Sequence, residues 1–348
     1  MAKVGLAYNL IDYSCLRDRP LDFAAEFDSP EAIQAISNAI RAGGHKVILL
    51  EADHTFPARL QGQRPDIVFN IAEGICGENR EADVPAFCEM FNVPYTGSDV
   101  FTTSLCLNKA RTNALLSCKG LKVPPFQVFN SGQDELRPDL EFPLIVKLLH
   151  EGSSMGLSKK SVVHDAISLK QQVDFLIDTY RQPALVQKFI LGREFTVGVL
   201  GNENLHVLPI TEVAFNDNDP FAIVLPELDT EVIPVYEQIF GKQFLKDYES
   251  QLFDFRGICP ANIDSDLASR ICQAAATAFR AVECRDWFRI DFRYGNDNEL
   301  YVLDLNPIAG IAPGYWLPKA AMVANIDYPG LINRIIDIAL ERINNHFH

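Results

Sequence analysis

The chain has 348 residues, a formal charge of −15, 48% hydrophobic and 22% charged residues. That length exceeds one ordinary core, so two or three domains of a soluble globular protein are expected. The acidic balance argues against a nucleic-acid or anionic-membrane partner, and an anionic ligand would need local Lys and Arg plus a cation.

Eight cysteines (Cys15, Cys76, Cys88, Cys106, Cys118, Cys259, Cys272 and Cys284) include no C-x-x-C pair. Most lie in apolar or helical runs, which favours reduced core thiols over a disulfide or zinc framework. Residues 1–9 lack the apolar core of a signal peptide, and no run reaches the roughly 20 apolar residues of a membrane span. A cytoplasmic location is the expectation.

Lys3–Tyr8 reads as a short buried strand. Ser29 can cap a helix with Pro30 at its first position, and Ile33, Ile36 and Ile40 recur at helical spacing. Gly43-Gly44 stops that helix and Lys46–Leu50 forms the next strand, a βαβ unit that implies a parallel sheet. A third strand, Asp66–Ile71, runs into the segment AEGICGENREADVPAF. Open α/β sheets bind ligands at such strand ends, so Glu73, Glu78, Arg80 and Glu81 face a cleft or else form a solvated loop. Pro94–Ser98 reads as a turn closing the first domain.

Leu105–Leu116 reads as one helix carrying Lys109 and Arg111. Phe142–Leu148 is an apolar strand with a single Lys at 147. Burying that ammonium is costly unless it meets an anion, so Lys147 either binds phosphate or points out from an edge. The loop His150–Leu157 offers backbone N–H groups and two hydroxyls to an anion, and could close as a lid. Neither a Walker A motif nor G-x-G-x-x-G occurs. Ala184–Ile190 is a further strand, with Gly192–Glu194 as a turn and Phe195–Leu200 as its partner. Residues Gln187–Ile190 could offer hydrogen bonds to a flat heterocycle at a domain seam. The stretch 216–257 says little about its shape. Ala268–Val282 is a helix, Pro313–Pro318 a turn, and Leu331–Ile343 a closing helix.

Between the Ala268–Val282 helix and that turn, Asp286–Gly310 reads as two strands, WFRIDFRY and ELYVLDLN, joined by a polar turn. Period-two alternation puts Arg289, Asp291 and Arg293 on one face, and Asp304 and Asn306 on one face of the partner. Ile290, Phe292, Leu303 and Leu305 read as core. If the polar faces coincide, two carboxylates and a carboxamide meet beside a guanidinium, an all-oxygen set suited to Mg²⁺. A solvated acidic face is the alternative.

Five ordered motifs resemble the ATP-grasp ligases, specifically the D-alanine–D-alanine ligase family: FNIAEGICGENREADVPAFCEMFNVPYTGSD, LNKARTN, FPLIVKLLHEGSSMG, VQKFILGREFTV and FRIDFRY with YVLDLNPIAG. The resemblance spans nearly the whole chain. It implies an α/β (α+β) fold of three domains. A parallel-sheet domain over 1–103 would be followed by a central ATP-grasp part over 104–188 and a metal- and substrate-binding part over 189–348. ATP would lie between two antiparallel sheets.

On this resemblance Lys109 and Lys147 would touch the phosphates, covered by Gly152, Ser153, Ser154 and Met155. Gln187, Lys188, Phe189 and Ile190 would receive the adenine and Glu194 the ribose. Asp291, Asp304 and Asn306 would hold two Mg²⁺ ions, with Mn²⁺ as an alternative. Arg289 and the N–H of Gly310 would stabilise an oxyanion, while Glu26 and Ser153 would sit at the acceptor end. Partners would be a small acceptor and an amino acid. The family is commonly dimeric through its first domain, so a homodimer is an option.

Several positions depart from the family pattern. Asp304 and Gln187 stand where Glu is usual, and Glu73-Gly74 replaces His-Gly in the first-substrate pocket. Tyr315 and Trp316 stand where the dipeptide-forming enzymes present Ser, and only Lys246 is a candidate for their mobile Tyr- and Lys-bearing loop. The combination LNPIAG with downstream Tyr-Trp-Leu-Pro resembles the ligases of mycosporine-like amino acid biosynthesis. Those join serine, threonine or glycine to the ring ketone of mycosporine-glycine as an imine. An aromatic pair would suit such a ring, although it could equally serve packing.

Overall fold

The computed structural model describes residues 1–11, 20–215, 219–225, 243 and 252–345. Three sheets organise them. The first is parallel in the order β2-β1-β3, built from β1 (Lys3–Tyr8), β2 (Lys46–Glu51) and β3 (Ile67–Asn70). Between β1 and β2, Ser29 Oγ accepts from the Ala32 N–H and Pro30 opens α1 (Pro30–Ala42). Ile33, Ile36 and Ile40 are buried as the helical spacing requires. After β2, α2 (Phe56–Gln63) leads back to β3. Tyr95 pairs with Val68, so the Pro94–Ser98 turn also extends this sheet.

A short helix α3 (Asp83–Met90) is followed by two helices where one was expected: α4 (Val100–Leu107) and α5 (Lys109–Cys118). Asn108 leaves helical geometry at φ −89° and ψ 92°, and its side chain caps α5 by accepting from the Arg111 N–H. An Asn inside an apolar run competes for the backbone in this way. The break makes Lys109 the first residue of α5, with its N–H on the Leu149 carbonyl.

The second sheet is antiparallel in the order β4-β7-β5-β6, from β4 (Phe126–Phe129), β5 (Leu144–Leu148), β6 (Val162–Val163) and β7 (Ala184–Lys188). Helix α6 (Ala166–Tyr180) covers one face with Leu169, Val173 and Leu176. The third sheet runs β11-β10-β8-β12-β13, with β9 (His206–Val207) added to β8. Its strands are β8 (Gly192–Leu200), β10 (Thr211–Phe215), β11 (Phe255–Ile258), β12 (Trp287–Gly295) and β13 (Leu300–Asn306). Helix α7 (Ser265–Ala281) buries Ile271, Ala275 and Phe279 against it.

Here the expected hairpin of Ala184–Ile190 with Phe195–Leu200 does not form. β7 and β8 belong to different sheets, and Phe189–Leu191 crosses between them. Gly192 begins β8 rather than making a turn. A Cβ there would lie 2.0 Å from the Tyr294 carbonyl oxygen, so the close approach to β12 needs glycine.

Helix α8 (Trp316–Val323) starts inside the stretch expected to be a turn, and α9 (Tyr328–Asn345) closes the fold. Leu331, Ile332, Ile335 and Ile336 of α9 pack in one core with α1, β1 and β3. Buried Asp286 ties these parts together, accepting from the Gly97 N–H at 2.8 Å and from Arg342 and Asn202. No described helix is long and apolar enough to cross a membrane. Cys15, Lys246 and most of 216–251 lie outside the described residues.

Candidate active site

The hairpin β12–β13 brings Arg289 opposite Asn306 and Asp291 opposite Asp304, so the two polar faces coincide. A β-bulge after Asp291 then shifts the register, pairing Phe292 with Val302. Leu303, expected in the core, is the extra residue; it lines the cleft while Val302 takes the buried position. Asp291 accepts two bonds from Arg289 at 3.1 and 3.0 Å, and one from Asn306 Nδ2 at 3.3 Å. Asp304 accepts from Lys109 Nζ at 2.9 and 2.7 Å.

Arg289, Asp291, Asp304, Lys109 and Lys147 form one electrostatic unit. Burial would push the Asp304 carboxyl up, but Lys109 and Lys147 overcome it and hold the group below its ordinary value. Burial pushes the Lys147 ammonium down to about 8 despite Asp304 and Asp291 nearby. Lys147 Nζ donates to the Leu303 carbonyl at 3.4 Å. No three His, Cys, Asp or Glu side chains converge as a metal cluster among the described residues. The oxygen donors at hand are two carboxylates and a carboxamide, a hard set that fits a divalent cation completed by phosphate and water. Both carboxylates are charge-balanced here by Arg289 and Lys109.

Between the second and third sheets lies a cleft of about 1040 Å³, counting its opening to solvent. Ile145, Leu157, Val213 and Ile223 supply apolar walls, and the crossing segment Gln187–Ile190 forms its inner edge. Gln187 is buried and its Nε2 has no partner among the described residues; neither does the hydroxyl of Thr196 nearby. Unpaired buried donors are costly, and a heterocycle in the cleft would relieve that cost. Lys188 turns its ammonium away, to the carbonyls of Glu141 and Phe142. Glu194 pairs with Arg293, whose guanidinium also lies 5.3 Å from the Phe189 ring centre. Trp316 lines this cleft, 6.0 Å from Phe255, and Gly257 leaves room for its indole. Tyr315 is half exposed and covers Gly310, where a Cβ would lie 2.5 Å from its ring.

The loop after β5 divides its residues. Glu151, Gly152 and Ser154 face the cleft. Met155, expected over the phosphates, is buried in the core of the second sheet, and Ser153 is exposed with φ +46°. Glu26 is buried, one oxygen accepting from the Gly152 N–H at 2.7 Å and the other from Arg80. Arg80 lines neither cavity; it bonds Glu26, Glu151 and the His150 carbonyl. Glu78 is exposed on the loop. Glu73 and Glu81 line a second, much smaller pocket with Lys109 and Asn306. Burial and the neighbouring Glu26 push both up, Glu81 to about 8, and Glu81 Oε2 has no partner among the described residues.

Three contributors were not anticipated. Asp22 accepts from the Gly156 N–H at 2.6 Å and from Tyr180, fixing the far end of the loop. Arg293 and Thr196 complete the cleft wall. Arg293 was read on the polar face without a role; Asp22 sits in a stretch with no periodicity to mark it.

Two antiparallel sheets closing on a cleft, lysines on one wall and an acidic hairpin on the other, define an ATP-grasp fold. The family described as "D-ala D-ala ligase C-terminus" matches residues 115–337. The D-alanine–D-alanine ligase of Aquifex aeolicus is 30% identical over 307 residues, covering 87% of this chain and 92% of that protein. The Sinorhizobium fredii protein y4sG, described as uncharacterized, is 34% identical over 312 residues, covering 87% and 86%. A Bacillus anthracis D-alanine–D-alanine ligase complexed with ATP shares the fold at TM-score 0.73 and 18% identity, over 100% of both chains. The VanG D-Ala:D-Ser ligase of Enterococcus faecalis does so at TM-score 0.72 and 18% identity, over 97% and 99%. The chain belongs to the D-alanine–D-alanine ligase family, and the enzyme class that follows is an ATP-dependent, ADP-forming carbon–nitrogen ligase.

Proposed function

We propose that this ligase activates an oxygen of a small acceptor and joins it to the amine of an amino acid, with an acceptor other than D-alanine. The observation that carries the catalytic reading is the shared cleft. Lys109, Lys147, Arg289, Asp291 and Asp304 line it together, and the unpaired Gln187 amide lies at its inner edge.

When bound, ATP and a divalent cation supply the terminal phosphoryl group and spread its charge. Asp291, Asp304 and Asn306 would hold the cation. Lys109 and Lys147 would neutralise phosphate oxygens, which requires Lys109 to leave Asp304. Gln187 and the crossing segment would orient the base, Glu194 would face the ribose, and the Gly152-containing loop would exclude water. Arg289 and the Gly310 N–H stabilise the oxyanion that develops when the amine attacks.

For the acceptor, Glu73 in place of a His and the aromatic pair Tyr315–Trp316 in place of a Ser both disfavour D-alanyl-D-alanine synthesis. Mycosporine-glycine with serine, threonine or glycine is the specific pair we put first. Tyr315 lies exposed over Gly310, where it can stack on a ring. The test supplies ATP, Mg²⁺ and either D-alanine or mycosporine-glycine with each amino acid, and reads products by mass. An imine product from mycosporine-glycine supports the specific reading. Robust D-alanyl-D-alanine and nothing from mycosporine-glycine overturns it.

A further inference from the structure

We propose that Arg80 is the positioning residue that sets the loop covering the nucleotide phosphates, acting as a clasp without touching nucleotide or acceptor. The inference rests on the nucleotide-site reading above. Its basis is three acceptors from two distant segments meeting one buried guanidinium. Nη2 lies 2.5 Å from Glu26 Oε2 and 2.6 Å from Glu151 Oε2, and Nη1 lies 3.0 Å from the His150 carbonyl. Only 7% of Arg80 is exposed.

Two carboxylates buried side by side repel, so one cation between them fixes where both can stand. Glu151 is anchored again on its other oxygen by Gln182 at 2.7 Å. Glu26 turns its other oxygen to the Gly152 N–H, near the start of the loop, at 2.7 Å. Beyond it Ser153 and Ser154 sit at φ +46° and +58°, left-handed conformations that persist only where their surroundings impose them. The chain of contacts therefore runs from the first-domain loop through Arg80 and Glu26 to the loop start. The far end is held by a different carboxylate of the same first-domain segment, Asp22 on the Gly156 N–H.

That separate acceptor supplies the test. Arg80→Lys keeps the charge, but an ammonium lacks the planar fork that reaches the carboxylates and the carbonyl together. Amide hydrogen exchange followed by NMR should quicken about tenfold at Gly152 and stay unchanged at Gly156. Affinity for the non-hydrolysable analogue AMP-PNP with Mg²⁺, read by calorimetry, should fall about tenfold. Glu26→Gln should quicken Gly152 in the same selective way, and adding Glu151→Gln to Arg80→Lys should give less than the sum of the two effects. Equal quickening at both glycines, or none, overturns the clasp, as does full AMP-PNP affinity in Arg80→Lys. Failure of the unaltered protein to bind AMP-PNP removes the nucleotide reading instead, while the exchange contrast still judges the clasp.

Discussion

Lys147 is held at a cost, and replacing it with methionine should separate stability from function. Its ordinary value of 10.5 falls to about 8 in the fold, because burial outweighs the attraction of Asp304 and Asp291. At about 1.4 kcal/mol per unit, the shift bounds the cost of keeping the ammonium charged at about 3 kcal/mol. The folded protein binds this proton more weakly than the unfolded chain, so the penalty is complete below about pH 8. It is relieved as pH rises toward 10.5, where stability increases.

In metal-free, nucleotide-free buffer, Lys147→Met should therefore gain up to about 3 kcal/mol at pH 7, and about half that at pH 9.5. The same variant should lose nucleotide affinity by about tenfold or more, since a desolvated cation facing phosphate is what the burial secures. Urea unfolding at both pH values and calorimetry with AMP-PNP measure the two effects. A variant less stable than the parent at pH 7, or a gap that fails to narrow at pH 9.5, would refute the reasoning.

Asp304→Ala should cut turnover by about a hundredfold or more through loss of a metal ligand; turnover within twofold of the parent would remove that assignment. Gln187→Met should leave stability equal or higher, since it deletes a buried amide with an unpaired nitrogen. Its nucleotide dissociation constant should nevertheless rise several-fold, and unchanged binding would separate Gln187 from the base. Arg293→Met should destabilise by about 3–5 kcal/mol, because Glu194 would stay buried without its partner. Denaturant midpoints check this, and a loss below about 1 kcal/mol would show that water reaches Glu194.

What the sequence revealed and what it hid follow from the range of the interactions. Alternation along WFRIDFRY and ELYVLDLN put Asp291 on a polar face of one strand and Asp304 and Asn306 on that of the other, because a strand's period is a local property; that the two faces coincide came from the register. The bulge that moves Leu303 into the cleft left no local mark. Lys147 stood out because an ammonium in an apolar strand needs a reason. Ser29 with Pro30 read correctly as a helix start, whereas Asn108 was passed over since its apolar neighbours continue the helical pattern. The path from β7 to β8 was misread as a hairpin, since strands joined by a Gly-containing segment look the same whether they share a sheet or change sheets. Arg80 was legible only as a polar residue near a strand end. Its partners Glu26 and Glu151 lie 54 and 71 positions away, beyond any local pattern.

The central claim is that the cleft between the two antiparallel sheets passes a phosphoryl group to an acceptor oxygen for displacement by an amine. Supplying ATP, Mg²⁺, mycosporine-glycine and serine, and resolving the nucleotide products while counting condensed product by mass, tests it most directly. ADP and phosphate should form in one-to-one proportion with condensed product, and neither should form when acceptor or amine is withheld. AMP and pyrophosphate, or ADP released at the same rate without any acceptor, would contradict it.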